Sequence, residues 1–255
     1  TVRYQGILCF FSNISNPKTH TMRPHRTASE KLGWVLVTAV TNLLAVPFLF
    51  RRSVLLKRHL AFEVCLSAFT IATSFMYHLC DSLQLYGSRG LWLGEGAWHR
   101  LDNVGSILCF VVLLIHFTDY ADELHAQINK FVMLWLVLLA QEYAPWDLRF
   151  TVGPIALQVV IFAVKRIIVD GGTLPPLDPH MAKRAAALQG AAFVFFYFGL
   201  DEHSDPMRIC HGLWHTFSAV ASQYHWRVIY SAREGGRLGA NKNKTGLKKS
   251  GGNLA

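Results

Sequence analysis

Seven apolar stretches alternate with short polar clusters along the chain, each close to the length a helix needs to cross a hydrocarbon layer. Residues 32–50 carry no charge over 19 positions and stop at Arg51-Arg52. The same pattern predicts helices over about 60–80, 103–118, 128–143, 150–169, 182–200 and 209–230. The uncharged centre of the fourth, 131–141, spans only 11 residues, so that helix must take in its polar flanks to reach both interfaces. The fifth tolerates Pro154 near one end and Lys165-Arg166 near the other, and the sixth carries a small-residue face (Ala185, Ala186, Ala187, Gly190, Ala191, Ala192) suited to close helix packing. The expected fold is therefore all-α and integral to a membrane: a seven-transmembrane helix bundle over residues 31–231. Before it, residues 1–30 are mixed, with Asn16-Pro17 and Arg23-Pro24 breaking any regular element, and the apolar patch at 7–11 is too short to span. After it, residues 232–255 form a basic Gly/Lys/Asn-rich tail expected to be disordered. No internal repeat is visible.

Composition agrees with this pattern. Hydrophobic residues make up 52% of the chain and charged residues only 16%, with a mean hydropathy of +0.27, where a soluble domain carries about 25% charge. The net charge of +9 does not point to nucleic acid, because seven of the 25 Lys and Arg lie in the last 29 positions. A basic tail directly after an apolar helix fits anionic lipid better. With seven spans, the side holding the tail has 16 basic residues and the other side 9. That bias places the C-terminus in the cytosol and the N-terminus outside or in a lumen, in the plasma membrane or an endomembrane. Asn13-Ile14-Ser15 is then a reachable glycosylation acceptor and Asn243-Lys244-Thr245 is not. The chain begins at Thr1 rather than Met, which leaves room for an upstream signal or ectodomain. Its five cysteines show no paired spacing, and those inside apolar runs read as small hydrophobes.

Ionisable groups inside spans are costly and mark function. Three clusters stand out: Ser74 and His78, with Asp81, at the end of the second helix; Asp102-Asn103 at the start of the third; and His211 with His215 at the start of the seventh. Residues four apart share a helix face, so His211 and His215 can address one ion. In a seven-span chain those three helix ends lie on one side of the membrane. Three neutral imidazoles with an open fourth position suit catalytic zinc, and the remaining Ser and Asp suit the groups that orient a ligand or a water. His116, at the other end of the third helix, reads as structural or interfacial, as do His59 and His225. His20, His25, His99, His125, His180 and His203 read as loop residues in water. Asp201, Glu202 and Asp205 read as a solvated loop, and Trp92, Trp98, Trp146 and Trp214 as an aromatic belt.

These residues resemble a known pattern. Ser-x3-His, a following Asp and His-x3-His are similar to the seven-helix hydrolase superfamily that contains the alkaline ceramidases and the adiponectin and progestin receptors. The words Met76-Tyr-His-Leu-Cys-Asp81, Leu101-Asp-Asn-Val-Gly-Ser106 and His211-Gly-Leu-Trp-His215 look most like its transmembrane-protein-8 and myomaker branch, over roughly residues 31–230. The resemblance implies Zn2+ held by His78, His211 and His215, with Asp102 and Ser74 against a water on the metal and Asp102 rather than Asp81 as the carboxylate. It implies a lipid or lipid-anchored substrate drawn from membrane lipids. Two function classes follow: a zinc-dependent hydrolase of a lipid ester or amide, or a non-enzymatic receptor or fusion-type protein in which zinc is structural. Oligomeric state is not legible.

Overall fold

All the regular structure among the described residues is helical, and its seven helices match the seven apolar stretches in order. The computed structural model describes residues 26–49, 60–85, 91–173, 177–200 and 205–250, with side chains of the last helix described as far as Ile229. The glycosylation acceptor at Asn13, the histidines at 20, 25, 59 and 203, and the acidic pair Asp201 and Glu202 lie outside those residues. The helices are α1 (Ala28–Leu49), α2 (Ala61–Leu83), α3 (Glu95–Thr118), α4 (Glu123–Tyr143), α5 (Leu148–Val169), α6 (Pro179–Phe198) and α7 (Ile209–Ser250). Of these, α1 to α5 are long and apolar enough to cross a membrane. The other two are more polar: α6 is rich in small residues and begins with Lys183 and Arg184 among its first turns, and α7 carries His211, His215, Gln223 and His225.

Local chemistry sets most boundaries. Thr27 and Glu30 cap α1 reciprocally: Thr27 Oγ1 accepts from the Glu30 amide, and the Thr27 amide donates to Glu30 Oε2 at 2.7 Å. Asp122, Asp147 and Asp178 each accept a hydrogen bond from the free amides that open α4, α5 and α6, and Pro179 occupies the first position of α6. Two boundaries depart from expectation. The third helix begins at Glu95, eight positions before the expected start, because its polar first turns face protein: Glu95 and Asp102 are both buried. The helical backbone of α7 runs past the expected end near Tyr230 to Ser250, and no proline follows Pro206 to interrupt it.

α3 is the central helix. Its stripe Val104, Ile107, Leu108, Val111, Val112 and Ile115 packs with Leu66 of α2 and Met133 and Val137 of α4 into one buried cluster. α2 lies along α3, α4 and α5 pack against its other side, and α7 lies between α6 and α1, which completes the bundle against α2. Large apolar side chains on α4 and α5, among them Phe131, Leu139, Val160, Ile167 and Ile168, face outward, as lipid-facing surfaces do. The molecule is a multi-pass membrane protein.

Candidate metal centre

Two glycines let the site form. A Cβ at Gly105 would lie 2.7 Å from Thr70 Oγ1 and 3.0 Å from the Thr70 Cα, so α2 and α3 meet almost backbone to backbone there. Ser74 lies one turn beyond Thr70, and Asp102 one turn before Gly105. At that separation Asp102 accepts hydrogen bonds from Ser74 and, at 3.4 Å, from Ser106 on its own helix. Gly212 does the same for α7 and α1: a Cβ on it would collide with the Val37 carbonyl. That contact sets His211 and His215, on either side of Gly212, against the inner end of α2.

The three histidines predicted from spacing converge. Their ring centroids form an equilateral triangle, 4.7 Å for each of the pairs His78–His211, His78–His215 and His211–His215. One ring nitrogen from each lies within 4.8 Å of the other two. His78 and His215 are buried and His211 partly so. The closest pair, Nε2 of His78 and Nε2 of His211, is 3.2 Å apart. A tetrahedral zinc with bonds of about 2.0–2.1 Å places its donor atoms roughly 3.3 Å apart, so that edge already has the required length. The remaining donors close by an ångström or so, within side-chain rotation. Three imidazoles on three fixed helix positions could therefore hold a metal ion.

His211 and His215 also have polar partners outside the triangle, as histidines in sites that hold a metal do. His215 Nδ1 is 3.1 Å from the Thr38 carbonyl and 3.2 Å from Thr41 Oγ1. His211 meets the Gly199 carbonyl, and its Nδ1 is 3.4 Å from Arg208 Nη2. Asp102 Oδ2 stands 3.9 Å from His78 Nε2. Asp102 and Ser74 thus sit beside the triangle and not in it. Asp81 is buried on α2 beyond His78, and its backbone carbonyl accepts from Arg26 at 2.8 Å.

Several residues read as bystanders have definite work. Asp205, expected in a solvated loop, is buried, and its Oδ2 accepts from the His211 amide at 3.0 Å, fixing the start of α7. His99, expected in water, stacks on Trp146 with ring centroids 3.5 Å apart and meets Tyr77 edge-on. Trp214, expected at the interface, packs among Phe110, Phe193 and Phe196. The largest omission lies at the opposite end of the bundle. His116 is 2.9 Å and Lys130 2.7 Å from the same oxygen of Glu63, and all three side chains are at most 6% exposed. The available signal was three ionisable residues at the same depth on consecutive helices, the rule that found the histidines. Arg208 was also missed: it is buried between α6 and α7, donating to the Gly199 carbonyl at 2.9 Å and facing Trp34.

Residues 30–216, close to three quarters of the chain, match the family described as Protein of unknown function (DUF3522). The match takes in Ser74, His78, Asp102, His211 and His215. No curated protein is similar enough to match the chain.

Proposed function

The chain belongs to this DUF3522 family, and on that premise we propose that it is a zinc-dependent hydrolase acting on an ester or amide bond in the acyl region of a membrane lipid or lipid-anchored molecule. The observation that carries this reading is the pairing of a three-imidazole triangle with a carboxylate and hydroxyl that stand beside it. The resemblance of the three histidine- and aspartate-bearing words to the seven-helix hydrolase superfamily, and to its transmembrane-protein-8 and myomaker branch, supports the same conclusion.

His78, His211 and His215 would hold the ion. A zinc ion held there would supply Lewis acidity toward a carbonyl and toward water near neutral pH. Asp102, one oxygen of which accepts from Ser106, would take the proton from the attacking water. Ser74, hydrogen-bonded to Asp102, would orient that water or, once Asp102 has taken a proton, donate to the oxygen that gains charge. The site lies inside a bundle whose outward faces on α4 and α5 are apolar, which favours a substrate drawn from the surrounding lipid over a soluble one.

A second reading is favoured by the 3.9 Å from Asp102 to His78 Nε2. A small shift would make Asp102 a fourth ligand, closing the shell and leaving zinc structural in a receptor or fusion-type protein. One pair of measurements separates the two. Purified protein carries about one zinc per chain on either reading. On the hydrolase reading Asp102→Asn keeps that zinc and loses fatty-acid release from ceramide, phospholipid or glycosylphosphatidylinositol lipid by roughly 10²-fold or more. Release no greater from wild type than from Asp102→Asn, with zinc fully bound in both, would sink the hydrolase reading.

A further inference from the structure

α1 contributes no imidazole to the triangle, yet it touches the site more closely than its sequence suggests. At Val35–Ala39 the helix widens into a π turn, a rare geometry that breaks the regular α-helical ladder and is frequent at functional sites. Thr38, inside that turn, directs its carbonyl at His215 Nδ1 (3.1 Å) while also accepting from Asn42 Nδ2 (2.9 Å). Thr41 Oγ1 lies 3.2 Å from the same Nδ1, and its own proton has two carbonyls to bond, Val37 at 2.7 Å and Thr38 at 3.0 Å. A carbonyl cannot donate, so the hydrogen between Thr38 and His215 belongs to Nδ1. The hydroxyl, its proton already committed, adds a lone pair to the same hydrogen.

We infer that α1 is the positioning element of the metal centre: the Thr38 carbonyl and the Thr41 hydroxyl lock His215 in the Nδ1–H tautomer, making Nε2 its ligand nitrogen and fixing the plane of its ring. The inference rests on the zinc reading of the cluster. The π turn and the glycine at 212 belong to one device, since the close approach of Gly212 to Val37 brings the Thr38 carbonyl of that turn within reach of the ring. His211 lacks such a lock: its Nδ1 faces Arg208 Nη2 at 3.4 Å, a donor and not a backbone carbonyl. Of the two α7 histidines, His215 is the one whose tautomer is set before metal arrives.

Thr41→Val keeps the shape of the side chain and removes the lone pair, whereas Thr41→Ser restores it. Zinc affinity measured by competition with a chromophoric chelator is expected to fall about tenfold in Thr41→Val and to stay close to wild type in Thr41→Ser, with helical content unchanged in both. Nitrogen-15 spectra of histidine-labelled, metal-free wild type are expected to show His215 as the Nδ1–H tautomer, assigned by its loss in His215→Gln. If the wild type binds no zinc, the metal reading falls, and the tautomer still tests the lock by itself. The inference is overturned by an Nε2–H tautomer at His215 in the wild type. Wild-type zinc affinity in a folded Thr41→Val protein overturns it equally. Should Thr41→Val fail to fold, the wild-type tautomer alone decides.

Discussion

Glu63 takes two hydrogen bonds on one oxygen, from Lys130 Nζ and His116 Nε2, with its side chain only 2% exposed. A carboxylate and an ammonium this deep each carry a desolvation cost that only their mutual contact offsets, so removing one partner strands the other. Glu63→Gln is expected to destabilise the protein by about 3–5 kcal/mol, read as a lower midpoint in detergent unfolding. Adding Lys130→Met should recover much of that loss, because the stranded charge disappears; a double variant no more stable than Glu63→Gln would mean that the ion pair is not what holds α2 to α4. The same logic governs the opposite end of the bundle. His78→Ala or His215→Ala should release zinc, and His116→Ala should retain it. Full zinc occupancy in His215→Ala would remove that residue from the ligand set.

Among the helices, α3 does most to organise the bundle, since it supplies most of the buried apolar cluster and also Asp102 and Asn103. Asn103 Nδ2 donates to Gln141 Oε1 at 2.8 Å and to the Pro145 carbonyl at 2.9 Å, and Gln141 Nε2 donates to the Phe150 carbonyl at 3.1 Å. These amides join α3 to α4 and to the start of α5 where apolar contact alone gives little preference over lipid. On the other side α3 depends on Gly105. Gly105→Ala places a methyl within 3.0 Å of the Thr70 backbone, which helix-bound atoms cannot vacate, so a cost of about 1–3 kcal/mol is expected. The displacement should also lengthen the Ser74–Asp102 hydrogen bond. Activity and stability measured together are expected to fall together; undiminished stability would show that α2 and α3 separate freely there.

At the scale of the whole molecule, two polar centres occupy opposite ends of one bundle, the histidine triangle at one and the Glu63–His116–Lys130 cluster at the other. Between them the interior is apolar and centred on α3, and the outward faces of α4 and α5 are apolar as well. Such a molecule is stable only with lipid around it. The excess of Lys and Arg on the side of the C-terminal tail, 16 to 9, predicts that the tail is cytosolic and that the histidine end faces outside or into a lumen. An epitope placed after Ala255 should resist protease added to intact cells, and Asn13 should accept glycan in a compartment with the machinery. Digestion of that epitope in sealed cells would reverse the orientation.

The sequence by itself determined the helices, because each apolar run must bury its backbone polar groups in its own hydrogen bonds when water is absent. It also determined the histidine triangle and its neighbours: spacing of four puts His211 and His215 on one face, and an odd number of spans brings the ends of α2, α3 and α7 to the same side. What it could not give was which polar residues near helix ends face water and which face protein. Glu95, His99 and Asp205 look alike in sequence to solvated loop residues, and only the packing around them buries Glu95 and Asp205 and stacks His99 on Trp146. The role of α1 was equally hidden, since Thr38 and Thr41 are ordinary residues of an apolar helix. The carbonyl that meets His215 is backbone, common to every residue type, and it lies in a π turn that only the glycine of α7 lets His215 approach.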